Sequence, residues 1–272
     1  MDKLSLHSAT KKLLTAYLKD PTHALCLSGE VGAGLGSLAF TLAADLAGSE
    51  SLVTVIAPEK DLISIERVRG LYEQTRSVQQ GKRCIIIDDA DTMSRDAQNA
   101  LLKLLEEPAR NVHFILTTHQ PSHLLATIRS RTQIITVLSL GEQDSLKLLE
   151  PHGLDETKQR QALFLALGRP AELIRLAENP TYFDDQATII TDARMFLQGS
   201  TYDRLVTIKK YSDRSGALYF LAMCTRLLRF NLLKQHHYAT AELMPVFEQV
   251  IQRIDGNGHV KTHLMYLVTK LP

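Results

Sequence analysis

The sequence predicts an α/β protein: a parallel sheet flanked by helices in the first half, then an all-helical remainder. Three observations predict it. A short apolar run at 23–28 leads straight into a glycine-rich loop, Gly29-Glu30-Val31-Gly32-Ala33-Gly34-Leu35-Gly36-Ser37, and then into a helical stretch at 38–46. A continuous β-branched run, Ile85 to Ile87, is closed by Asp88 and Asp89, and an amphipathic helix connects it to a second apolar run at 112–118. From about Tyr182 onward, apolar residues recur only at helical spacing.

In order along the chain, residues 5–19 place Leu6, Leu13, Leu14, Tyr17 and Leu18 on one helical face, and Asp20-Pro21 ends the pattern. The strand at 23–28, the loop and the helix at 38–46 follow. Residues 52–56 form the next strand. Ile63, Ile65, Val68 and Leu71 mark a helix, with Arg67, Arg69 and Arg76 on it or just beyond; these read as a solvated face or, as the minority reading, a phosphate-contacting one. Gly81-Lys82-Arg83 turns the chain into the strand that ends in acids. Ser94 is a suitable N-cap for the helix at 97–107, which carries Leu101, Leu104 and Leu105 at i, i+3, i+4 and is stopped by Pro108. After Gly141 come three short helices up to 180. Four or five longer amphipathic helices then run to the end.

Composition sets the outer limits. The 272 residues suffice for one large domain or two to three small ones. Hydrophobic residues at 44% and charged residues at 22% are ordinary for a globular protein, and no apolar stretch reaches the roughly 18 residues of a membrane helix. The N-terminus has no apolar core of a secretory signal, so a cytoplasmic location is expected. Cys26, Cys84 and Cys224 are far apart and unpaired by any C-x-x-C spacing, which argues against a disulfide framework or a zinc site; no metal site is expected. A net charge of +1 creates no overall field for nucleic acid, so Lys209, Lys210, Arg226 and Arg229 read as solvated or interface charges.

The glycine loop has the context of a phosphate-binding loop: strand, loop, helix. In a G-x-x-x-x-G-K-[ST] loop, backbone amides wrap the phosphates, the lysine neutralises them and the hydroxyl holds magnesium. Setting Gly29 and Gly34 at the two glycines puts Leu35 at the lysine and Gly36 at the hydroxyl. A shifted register that uses Ser37 as the hydroxyl loses both glycines. Such turns also occur for steric reasons alone. Asp88 and Asp89 sit where open parallel sheets bind ligands. In a working ATPase the first would hold magnesium and the second would position water; a solvated turn is the other reading.

The wording from Asp88-Asp89-Ala90-Asp91 through Ala97-Gln98-Asn99-Ala100-Leu101-Leu102-Lys103-Leu104-Leu105-Glu106-Glu107-Pro108 to Thr127-Ile128-Arg129-Ser130-Arg131 resembles the AAA+ subunits of bacterial DNA polymerase clamp loaders, the gamma and delta-prime family. The match is dense from 84 to 133 and collinear, though weaker, up to Gly168. The resemblance implies a RecA-like AAA+ domain at 1–140, a helical lid at 141–181 and a helical collar at 182–272 that joins subunits into a ring. It implies that Thr118 is the sensor-1 residue. It also implies that Ser130 and Arg131 belong to the Ser-Arg-Cys motif, whose arginine reaches the ATP site of an adjacent subunit.

Three departures from that family matter. Leu35 and Gly36 replace the lysine and hydroxyl, Ala171 stands where the sensor-2 arginine would be, with Arg169 two residues away, and residues 38–83 lack the cysteines of a zinc module. The resemblance therefore implies a delta-prime-like stator that hydrolyses no ATP of its own and presents Arg131 to a neighbour. Gly29, Gly34, Leu35, Gly36, Ser37, Asp88, Asp89 and Thr118 would line a degenerate site without productive cofactor, the ATP and magnesium being held by the partner subunit. Implied partners are gamma/tau-type and delta subunits, the sliding clamp and, through the complex, primer-template DNA. The alternatives are an active gamma-type ATPase using Ser37 and Arg169, and a purely structural AAA+ adaptor.

Overall fold

The structure, a computed structural model, describes residues 4–76, 82–109, 111–235 and 238–271. The turn expected at Gly81 lies outside the described residues. The chain divides into two compact units, Met1–Glu178 and Asn179–Pro272.

The first unit holds, in order, α1 (Ser8–Lys19), β1 (Ala24–Ser28), α2 (Leu35–Ala47), β2 (Val53–Ile56), α3 (Ile65–Arg76), β3 (Arg83–Ile87), α4 (Arg95–Glu106), β4 (Val112–Thr118), α5 (Ala126–Arg129) and β5 (Gln133–Thr136). Three helices follow at the place expected for the lid: α6 (Glu142–Leu149), α7 (Glu156–Ala166) and α8 (Pro170–Glu178). The five strands are all parallel in the order β2-β3-β4-β1-β5. Consecutive strands β1 and β2 are not neighbours, and β5 pairs with β1 beyond β4. The chain order thus reverses at β1, and a parallel sheet of this kind opens its crevice at the C-terminal ends of the strands on either side of such a point.

The alternation of side chains along each strand builds two apolar layers. Cys26, Ile85, Ile87, Phe114 and Leu116 meet Val68 and Leu71 of α3 and Leu101, Leu104 and Leu105 of α4. Leu25, Leu27, Cys84, Ile86 and Ile115 meet Leu14 and Tyr17 of α1 and Leu38 and Leu42 of α2. Two-sided burial explains why these strands read as unbroken apolar runs. The Ser94 hydroxyl accepts from the Ala97 amide and so caps α4, as its sequence predicts. Several boundaries differ from the sequence reading by one to three residues; α4, read at 97–107, spans Arg95–Glu106. Helix α2 begins at Leu35 rather than Leu38, because Gly34, in the left-handed region at φ 80°, serves as its N-cap.

The second unit is helical: α9 (Pro180–Gln198), α10 (Thr201–Ile208), α11 (Arg214–Gln235), α12 (Met244–Asp255) and α13 (Val260–Lys270). Phe196 packs edge-on against Phe220 and Phe247, with ring centroids 5.4 and 6.5 Å apart. Ser200 and Asp203 form a reciprocal capping box at the start of α10. Buried Asp192 accepts from Lys210 Nζ at 2.7 Å and Tyr211 Oη at 2.9 Å, so Lys210 is bound within this unit, not simply solvated. Among the described residues, no helix is long and apolar enough to cross a membrane. Cys26, Cys84 and Cys224 are all buried.

Candidate functional site

The glycine loop leaves β1 at the sheet's C-terminal edge, beside the ends of β4 and β3. Gly29 N donates to the Thr118 carbonyl at 3.2 Å, which fastens the loop's first residue to β4. Gly32 and Gly34 take φ of 89° and 80°, the left-handed conformations that give such a loop its shape. The side chains then depart from phosphate chemistry. Leu35 is only 3% exposed and belongs to the apolar layer with Leu27, Leu38 and Leu42. Where a lysine would reach into the loop, a leucine closes the core.

The next position is filled by a different residue. A Cβ placed on Gly36 would lie 3.2 Å from both carboxylate oxygens of Asp88, so the acid occupies the space of the missing hydroxyl side chain. Ser37 is exposed, and among the described residues its hydroxyl is not one of the partners of Asp88 or Asp89. With no cation at Leu35 and the hydroxyl's place at Gly36 taken by the Asp88 carboxylate, these residues do not fit an ATP–magnesium complex.

The acids are instead satisfied by the protein. Thr117 Oγ1 donates to Asp88 Oδ1 at 2.7 Å and accepts from the Asp89 amide at 2.9 Å. Thr118, one residue on, faces the other side of the strand, is fully buried and accepts from the Gln120 amide at 3.1 Å. The residue of β4 that meets the acids is therefore Thr117, not Thr118. His119 joins the loop to the second acid: its Nδ1 lies 2.8 Å from the Gly29 carbonyl and its Nε2 3.3 Å from Asp89 Oδ1. A carbonyl only accepts, so Nδ1 carries a proton there. An ionised carboxylate also only accepts, so the second contact needs one further proton, on Nε2 or on Asp89. Burial, then the charge of Asp88, push the Asp89 carboxyl above its usual value, while His119 pulls it back. Asp91 accepts from the His119 amide at 3.2 Å. Asp89 is also held at φ 48°, an uncommon conformation that Asp tolerates better than most residues.

Helix α8, in the stretch expected as the lid, meets the same loop with its backbone. The amides of Ala171 and Glu172, in the first turn of α8, both donate to the Gly32 carbonyl, at 3.0 and 3.2 Å. These are N-terminal helix amides with no partner inside the helix, and here a carbonyl of the loop takes them. Arg169 reinforces the contact. Its guanidinium donates to the carbonyls of Val31, Ala166 and Leu165 at 2.7 to 3.0 Å, so its donors are turned to main chain rather than held for a phosphate. Gly168, at φ 75°, lets the chain into α8; a Cβ there would lie 2.2 Å from the Leu140 carbonyl.

Arg131 lies away from this cluster, just past α5. Its Nη1 donates to the Thr127 carbonyl at 3.1 Å and to the Ser130 hydroxyl at 3.4 Å, and its Nη2 lies 2.9 Å from Glu106 Oε1 at the end of α4. Its side chain remains 36% exposed. The structure thus brings Gly29, Gly34, Leu35, Gly36, Asp88 and Asp89 together, leaves Ser37 and Thr118 out of the acid contacts, and sets Ser130 and Arg131 apart on the surface. Sequence reasoning missed Thr117, His119 and Glu106. The strand at 112–118 contains Thr117 and the family wording at 97–108 contains Glu106 without singling either out, and no motif marks His119.

A sequence profile described as "DNA polymerase III, delta subunit" matches residues 47–140. The DNA polymerase III subunit delta' of Escherichia coli is 28% identical over 198 residues, covering 71% of this chain and 58% of that protein. The subunit delta' of Pseudomonas aeruginosa is 32% identical over 182 residues, 57% of this chain and 55% of the relative. The chain thus spans little more than half the length of these two curated relatives. Among solved structures, a DNA polymerase III gamma subunit-related protein from Thermotoga maritima superposes with a TM-score of 0.57 at 17% identity, covering 96% of this chain and 97% of its own, a likeness of fold. In sequence the chain is therefore delta-prime-like, similar to the delta' subunits of bacterial DNA polymerase III, and in fold it is similar to a gamma subunit-related protein.

Proposed function

We propose that the chain works as an ATPase-inactive stator subunit of a sliding-clamp loader and supplies Arg131, in trans, to the ATP site of a neighbouring gamma-type subunit. The burial of Leu35 at the lysine position carries the first half of this reading, because nothing else in the loop offers a cation to a phosphate. The Asp88 carboxylate against Gly36 and the lid amides on the Gly32 carbonyl support it. Arg131, partly exposed and placed as in the Ser-Arg-Cys motif, supports the second half. An arginine meeting developing charge in a dry interface accelerates phosphoryl transfer by roughly 10³-fold or more. Gamma/tau-type and delta subunits, the clamp and primer-template DNA are the partners this role requires, and a cytoplasmic location goes with it. The gamma-type alternative finds no support in Ser37 or Arg169, since the first is exposed and the second is bound to backbone carbonyls.

The test is reconstitution with gamma-type and delta subunits and measurement of clamp- and DNA-stimulated ATP turnover. The purified chain alone is expected to hydrolyse no ATP, and Arg131→Ala is expected to remove the contribution of one site from the assembled complex while assembly persists. Normal turnover by the isolated chain would sink the first half. Unchanged turnover in the Arg131→Ala complex would leave a structural adaptor.

A further inference from the structure

We infer that Glu106 is a positioning residue for Arg131: the carboxylate at the end of α4 holds the guanidinium in the orientation from which it is presented to the neighbouring subunit. The inference rests on the proposed trans role of Arg131 and adds a residue from another element to it. Glu106 is the last residue of α4, and Arg131 follows the short helix α5, so the contact is made between two elements and not within one.

The geometry divides the guanidinium's donors. Nη1 is committed to the loop's own atoms, Thr127 O and Ser130 Oγ, and Nη2 to Glu106 Oε1 at 2.9 Å. Among the described residues, Nε makes no hydrogen bond, so one edge of the planar fork is left for an external acceptor. Two tethers in different directions fix both the plane and the reach of a side chain that would otherwise sample many rotamers. The pair is surface-exposed, at 36% and 48% for the two side chains, and exposed pairs of this kind add little to folding stability. Its main effect is therefore to order Arg131 before a partner arrives, which lowers the ordering cost paid at the interface. Glu106 itself has a fixed base. Leu104 and Leu105 of the same turn are buried in the sheet layer, and the Glu107 amide closes the helix onto the Lys103 carbonyl.

The experiment uses the assembled loader with gamma-type and delta subunits, carrying Glu106→Ala, Glu106→Gln, Arg131→Ala or the double substitution Glu106→Ala/Arg131→Ala. Glu106→Ala is expected to lower kcat for clamp- and DNA-stimulated ATP hydrolysis at the contacted site by roughly three- to tenfold with little change in KM, the scale of an unordered side chain. Glu106→Gln, which keeps a hydrogen-bond acceptor, should retain most of the rate. In the Arg131→Ala background, Glu106→Ala should have no further effect. A further loss in that background would show that Glu106 acts on the structure at large, and an unchanged or raised kcat in the single variant would show an idle or restraining contact; either result overturns the inference. If Arg131→Ala itself leaves turnover unchanged, the trans role fails instead, so the two failures are distinguishable. Thermal melts of each variant chain separate folding losses from these rates, and Glu106→Gln, isosteric and exposed, keeps the test open if the alanine variant is unstable.

Discussion

At the scale of the residue, two substitutions probe how far the loop has moved from phosphate binding. Leu35→Lys places an ammonium in a site that is 3% exposed, and is expected to cost about 3 kcal/mol or more, read as a lowered urea midpoint. Adding Gly36→Thr should not rescue ATP hydrolysis, because the new Cβ meets Asp88 at 3.2 Å and the lid still covers Gly32. A double variant that is stable and hydrolyses ATP would contradict both points. Asp89 offers a pH signature. Its carboxyl is raised above the ordinary 3.8 by burial first and by Asp88 second, so the folded chain holds that proton more tightly than the unfolded one. This group's contribution to stability is therefore fully present in acid and is lost as the pH rises through the folded value. Asp89→Asn removes that loss, and asparagine also tolerates the positive φ. The variant's Tm should exceed the parent's at pH 7, with the gap closing as the pH falls below 3.8; a gap of the same size in acid would rule out the carboxyl as its source.

At the scale of the element, α4 links the sheet to the surface that carries Arg131. Gln98 on its second turn is buried at 5%; its Nε2 donates to the carbonyls of Met93 and His123 at 3.3 and 3.2 Å, and its Oε1 accepts from the Leu125 amide at 2.8 Å. Gln98→Ala would leave those backbone groups buried without a partner and is expected to cost about 2–3 kcal/mol. Because Leu125 caps the start of α5, the Arg131 loop should also loosen, which hydrogen exchange at 126–131 would detect. Faster exchange confined to α4 would argue that the two elements are not coupled through this side chain. Much of this region was legible. The limits of β4, the Ser94 cap and the buried leucines all follow from periodicity and capping chemistry, which are local. Thr117 was not singled out, because a strand covered on both faces carries no polar alternation to say which threonine faces the acids. His119 and Glu106 escaped because their partners, Gly29 and Arg131, are brought to them by tertiary folding.

At the scale of the whole molecule, the sequence separated a sheet-bearing half from a helical half, and both kinds of architecture are present. The layers of the sheet were readable as apolar runs. The internal polar pairs of the helical unit, Asp192 with Lys210 and Tyr211, were not, since a lysine on an amphipathic helix looks the same whether it meets water or a buried acid. The docking of lid on loop was likewise invisible, because its central bonds are made by peptide groups that every sequence possesses. That last feature bears on any attempt to build a nucleotide site here. A bond between the Gly32 carbonyl and the amides of Ala171 and Glu172 has no side chain to mutate. Exchanging Leu35 and Gly36 for lysine and threonine would supply the letters of a phosphate loop while α8 still sat on its backbone. Single substitutions in the loop leave this main-chain contact in place, and opening it takes a change in the path of the backbone.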